Sequence, residues 1–185
     1  VSAYSMRRQE LFPRLGLRIG ARPAADLWMI RRTPSATSQE LRLVGERESE
    51  SKLELQTHIS GKLHELRSLP RDWDGAGGEP LTQAVTHQAY RTMDQLTDFR
   101  SVFPFITPGE EGSVLFEWRA GIERLEIQFF PDEAPYVSYT DPEGFRQIEG
   151  DLGSRGVSYG GVRRILSSLS ARIWVANPGW KRLFS

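Results

Sequence analysis

SVLFEWRAGIERLEIQFF, residues 113–130, decides the fold. Val114, Phe116 and Trp118 alternate with Leu115, Glu117 and Arg119; Leu125, Ile127 and Phe129 alternate with Glu126, Gln128 and Phe130. A period of two sends successive side chains to opposite faces of a strand. Ala120-Gly121 between the runs is a tight-turn signal, so the stretch reads as a β-hairpin with one apolar and one polar face. Downstream, PYVSYT after the turn PDEAP gives a third strand, and FRQIEG after DPEG (141–144) a fourth. The closing glycine of DPEG suits a type I turn. Alternation sets the register of this antiparallel meander, because a slip of one residue would turn the apolar set to water.

Upstream the period is helical. Residues 38–69 read as helix in two pieces, the highly charged SQELRLVGERESESKLELQ and a stripe of Leu55, Ile59, Leu63, Leu66 and Leu69, with Gly61 weakening it and Pro70 ending it. A second helix spans about 80–97, with Pro80 in its first turn and Leu81, Ala84, Val85, Ala89, Met93 and Leu96 as its stripe. FPFITPGEEG (103–112) reads as an extended linker. Residues 161–174 return to helix, with Val162, Ile165, Leu166, Leu169 and Ile173 on one face, and Asn177-Pro178-Gly179 breaks it. This order predicts an α+β domain: two N-terminal helices, a four-stranded antiparallel meander and a C-terminal helix packed on one sheet face. The domain runs from 38 to 175, between a basic, weakly ordered extension (1–37) and a basic aromatic tail (176–185).

The net charge of zero conceals a segregation. Residues 1–36 hold seven arginines against Glu10 and Asp26, and residues 155–185 hold six basic groups and no acid, so the acidic excess lies in the body between. There is no cysteine, which excludes disulfides, thiolate metal sites and cysteine nucleophiles. No apolar run approaches the roughly 18 residues of a membrane span, and the arginine-rich start lacks the apolar core of a secretory signal. These features point to a cytoplasmic setting and call for no cofactor.

RDWDGAGGEP (71–80) invites a calcium reading, since Asp72, Asp74 and Gly77 match three positions of an EF-hand loop. Ala76 and Gln83 stand where a third oxygen ligand and the bidentate glutamate are needed. A looser ion site of Asp72, Asp74 and Glu79 is the remaining metal reading, against a structural bend in which the aspartates accept backbone N–H groups and Trp73 anchors the loop. Gly156-Val157-Ser158-Tyr159-Gly160 matches the G-x-S-x-G nucleophile elbow, but no histidine or acid follows Ser158, so a helix cap explains it better. His58, His64 and His87 lack metal-ligand spacing. Glu117 and Glu126 fall on the polar faces of neighbouring strands, where Arg119 and Arg124 are placed to neutralise them.

A helix ending in Leu66, Leu69 and Pro70, a loop carrying Trp73, Asp74, Gly75, Gly77 and Pro80, a linker with Pro104, Pro108 and Gly112, and a strand entered through Glu117-Trp118 with Glu126 beyond it resemble a group of small bacterial proteins of unassigned function. They share a WDGxGAxP-like loop followed by a helix and an E-W antiparallel meander. The resemblance covers roughly residues 60–150. It implies a bacterial cytoplasmic setting and brings no reaction and no catalytic residue.

The expectation is therefore a non-enzymatic protein-interaction module of a bacterial cytoplasmic system, with antitoxin, immunity or defence accessory as its roles. Its contact candidates are Trp73, Asp72, Asp74, Trp118, Glu117 and Glu126. One alternative is a metal-dependent enzyme that brings Asp72, Asp74, Glu117 and Glu126 together. Another is a nucleic-acid accessory protein that uses its basic termini, with Arg163, Arg164, Arg172, Lys181 and Arg182 as contacts.

Overall fold

Two periodicities in one chain require two layers, because each stripe must bury itself against something. The computed structural model describes residues 38–184, with side chains from 46 onwards. The proposed extension 1–37 lies outside the described residues. Helix α1 (Ser38–Arg67) is followed by α2 (Gln83–Leu96), strands β1 (Phe105–Pro108), β2 (Val114–Ala120), β3 (Glu123–Phe129), β4 (Tyr136–Thr140) and β5 (Arg146–Asp151), and helix α3 (Tyr159–Ala176). A short 3₁₀ turn, Trp180–Phe184, closes it. The chain is α+β, and its sheet is an antiparallel meander in the order β1-β2-β3-β4-β5.

The fifth strand is β1, which lies in the stretch read as a linker. Phe105–Pro108 pairs with β2, Phe105 opposite Glu117 and Pro108 opposite Val114. Four residues with a proline give no alternation to read, yet an edge strand tolerates a proline that cannot donate to the ladder. The hairpin falls where expected, with Ala120 opposite Glu123 and Gly121 at φ +66° in the first turn position. That is the place a type II′ turn reserves for glycine. In DPEG the Gly144 N–H donates to the Asp141 carbonyl at 3.0 Å, and Gly144 sits at φ +89°.

Helix α1 is continuous rather than two pieces. Gly61 faces open space on its exposed side, while Leu55, Ile59, Leu63 and Leu66 are buried and hold the helix through that point. Tertiary packing overrides the modest propensity cost of one glycine. Helix α2 starts later than expected. Thr82 caps it, its Oγ1 accepting from Val85 N–H at 3.2 Å, and Pro80 stays outside. Helix α3 is capped by Ser158, whose Oγ accepts from Gly161 N–H at 3.1 Å, so the G-x-S-x-G serine serves the backbone.

The three α-helices of the described residues lie on one sheet face. Val114, Phe116, Trp118, Leu125, Ile127, Phe129 and Val137 meet the stripes of α1, α2 and α3 in one core. Trp118 Nε1 donates to the carbonyl of Val102 at 3.0 Å, and Val102 N–H donates to Ser170 Oγ on α3 at 3.2 Å. A buried loop residue thus has both backbone groups satisfied, one by the sheet and one by a helix. The last residues join this core. Trp180 is buried against Phe103 (ring centroids 5.0 Å), which stacks on His58 of α1 at 4.8 Å.

Candidate functional site

The WDGAGG loop closes on itself. Asp72 Oδ1 accepts from Gly77 N–H at 2.7 Å, and Asp74 Oδ1 accepts from Ala76 and Gly78 N–H at 2.9 and 2.8 Å. Those backbone bonds hold the Asp74 carboxyl below the usual carboxylate range. Trp73 is half-buried, with Nε1 packed over Gly78. A β-carbon at Gly78 would stand 2.6 Å from that nitrogen and 2.8 Å from Asp74 Cγ, so only glycine fits. Two carboxylates already engaged by three N–H donors make a bend, and Arg71 pairs with Glu79 beside them at 3.4 Å.

The polar face of the sheet carries the second group of candidates. Glu117 and Glu126 are register partners, so their side chains rise side by side. Arg119 and Arg124 are also opposite each other, one pair along. Like charges face each other in both pairs, and contacts along each strand relieve them: Arg119 Nε donates to Glu117 Oε1 at 2.9 Å on β2 and Arg124 Nη1 lies 3.4 Å from Glu126 on β3, with Arg124 also 3.9 Å from Glu117 diagonally across the hairpin. The row continues through Ser138, whose Oγ donates to Glu126 at 2.8 Å, to Glu149, which is opposite Ser138 and accepts from Tyr136 Oη at 2.8 Å. The bond from Tyr136 holds the Glu149 carboxyl low and the phenol high. Among the described residues no three histidine, aspartate or glutamate side chains gather as metal ligands would.

Several contact candidates turn out to be structural. Trp118 is 1% exposed and spends its one donor on Val102, so it cannot grip a partner; it shares the inward parity of Val114 and Phe116. Arg172 is committed to Glu123, with Nη2 to Oε1 at 2.7 Å, and Tyr139 Oη donates to the same oxygen at 2.7 Å. Lys181 is ion-paired with Glu54 of α1, and Arg182 also has a partner. Arg163 and Arg164 are exposed on α3. A nucleic-acid contact at this end therefore has fewer available cations than the sequence offers.

Two surface features were missed. At the sheet end formed by the β2–β3 and β4–β5 turns, Ile122 and Phe145 are each 68% exposed, and the two turns come close: a β-carbon at Gly144 would sit 3.5 Å from Ile122 Cγ2. Each is a lone apolar residue in a turn, and only strand order brings their turns together. The second is a groove of about 470 Å³ between α1 and α2, lined by Leu63, His64, Arg67, His87, Tyr90 and Arg91 among others. The two helices run antiparallel, with Lys52 and Gln56 beside Asp94 and Arg67 beside His87. Sequence spacing of the histidines cannot register an approach between two helices.

No helix of the described residues is long and apolar enough to cross a membrane. Compared with known proteins, the chain matches no family model, no curated protein and no solved structure.

Proposed function

We propose that this chain is a non-enzymatic protein-interaction module that holds a basic protein partner against the β3–β5 half of its sheet. The observation that carries the reading is Ile122 and Phe145, two exposed large apolar residues in the turns at one end of the acidic β3–β5 half of the sheet. From Glu123 to Asp151 the chain has eight acidic residues against Arg124 and Arg146. Apolar anchors supply interface energy and a single-sign field supplies steering and choice of partner. The polar sheet face, bare of helices among the described residues, extends the same surface through Glu126, Ser138 and Glu149.

The carboxylates argue against catalysis by their engagement. Asp72 and Asp74 hold their own loop, while Glu117 and Glu126 hold arginines. An acidic module that masks a basic, nucleic-acid-acting protein fits an antitoxin, immunity or defence-accessory role in the bacterial cytoplasm, and that role is part of the proposal.

The test is affinity capture from the native cell at low and high salt with wild-type chain and the double variant Ile122→Ser/Phe145→Ser. One stoichiometric basic protein, held by the wild type and lost from a variant with unchanged circular dichroism, is the expected result. A partner retained by the variant, or an acidic one, would remove this surface from the account. Capture of nothing by either chain would end the module reading itself.

A further inference from the structure

The groove between α1 and α2 has a composition unlike the rest of the surface. His64 and Arg67 are three apart on α1, and His87 and Arg91 four apart on α2, so each helix presents its pair on one stripe. Antiparallel packing sets the stripes across from one another. Leu63 and Tyr90 give the groove its apolar floor. No acid lines it, and among the described residues neither Arg67 nor Arg91 has an ion-pair partner. On the open sheet face, by contrast, Arg119, Arg124 and Arg146 are all paired.

A second depression of about 420 Å³ shares His87 and Arg91 and continues across α2 to Gln88, Gln95 and Tyr159 at the start of α3. It also contains no acid. Tyr90 and Tyr159 are 37% and 40% exposed, so each offers a ring to a ligand. The two depressions form a trough that alternates aromatic rings with cations, and Arg163 lies one helical turn beyond Tyr159. This trough belongs to the helical layer, which packs on the sheet face turned away from the Glu126–Glu149 row.

We propose that this trough binds a short single-stranded nucleic acid, with Arg67 and Arg91 on phosphates and Tyr90 and Tyr159 stacked on bases. A single strand is the ligand whose repeat supplies both an anion and a flat ring at each step. A duplex hides its rings, and an acidic peptide does not supply a ring with every charge. The surface is independent of the β3–β5 half of the sheet, so this proposal stands or falls separately from the partner reading.

The experiment is fluorescence anisotropy of the whole chain with labelled oligo(dT) and oligo(U) of about 12 nucleotides across a salt series. A labelled poly-glutamate of equal charge is the comparison. The expected result is saturable oligonucleotide binding whose log K falls with log salt at a slope of about −1.4 for two phosphate contacts, and at about −0.7 in Arg67→Ala or Arg91→Ala. Tyr90→Ala should weaken binding at least about fivefold at every salt concentration. All the substituted residues are exposed, and circular dichroism checks that each variant folds. No binding at about 50 mM salt would overturn the proposal. So would binding indifferent to both arginines, or binding of poly-glutamate equal to that of oligonucleotide and unmoved by Tyr90→Ala.

Discussion

Arg172 on α3 donates Nη2 to Oε1 of Glu123 on β3 at 2.7 Å, and that carboxylate is almost wholly buried. Tyr139 of β4 donates to the same oxygen. One buried charge thus ties the C-terminal helix to two strands. Breaking such a pair from one side costs more than the pair contributes, because the remaining charge is left in a poor solvent. Arg172→Met should lower unfolding free energy by about 2–3 kcal/mol, discounted for the half-exposed guanidinium. Glu123→Gln keeps an acceptor for both donors and should cost about 1 kcal/mol. Urea titration compares the midpoints, and a wild-type midpoint for Arg172→Met would show the pair to be idle.

Alkaline pH should find the same cluster. Burial, then the bond to Glu123, pushes the Tyr139 phenol up to about 12. A raised pKa in the folded state means stabilisation that is complete below the ordinary tyrosine value of about 10 and lost as pH climbs through about 12. Absorbance at the phenolate band, followed with the urea midpoint, should show a late-titrating tyrosine that Tyr139→Phe removes. Tyr136 is also raised by its bond to Glu149, so the difference between the two chains is the quantity to read.

His58 makes the opposite prediction on the acid side. Burial lowers its pKa, the bond from Nε2 to the Pro104 carbonyl at 3.0 Å opposes this, and the charge of Lys62 adds to the lowering. A base depressed in the folded state is protonated first in the unfolded chain. Stability should therefore fall as pH drops below the ordinary histidine value of about 6.5 and level off below the folded value. The ring is stacked on Phe103 and edge-on to Phe184, so His58→Phe should flatten that slope while keeping the aromatic packing. An unchanged slope in the variant would assign the acid sensitivity to other groups.

The WDGAGG loop should be intolerant at one glycine and forgiving at another. Gly78→Ala drives a β-carbon into Trp73 and Asp74 and should cost about 2–3 kcal/mol, with a shift in tryptophan emission. Gly75 has open space around it but a φ of +71°, so Gly75→Ala should cost about 1 kcal/mol through backbone strain alone. The depressed Asp74 carboxyl adds stability present above the unfolded carboxylate range and lost as pH falls through its folded value. Equal costs at the two glycines would refute the packing account of Gly78.

Much of the architecture was readable from local pattern. The period of two in 113–130 specified a hairpin and its register, and the apposition of Glu117 and Glu126 followed from that register. Parity also held information that went unused. Glu123 has the inward parity of Leu125, Ile127 and Phe129, which marks it as a buried acid in need of a partner. The same rule turns Trp118 inward, away from any contact role. Strand β1 had no pattern to read, because four residues ending in proline make too short a run, and its pairing comes from β2.

By itself the sequence determined the element types, the apolar faces and the antiparallel order of β2 to β5, because these depend on periods and turns confined to neighbouring residues. Only the tertiary structure decided which charges are engaged. Arg172 meets Glu123 from 49 positions away, the turns carrying Ile122 and Phe145 come together through strand order, and Arg67 and Arg91 come to line one groove. A side chain's chemistry is written in its residue type, but its availability depends on what the folded chain brings within about 4 Å of it.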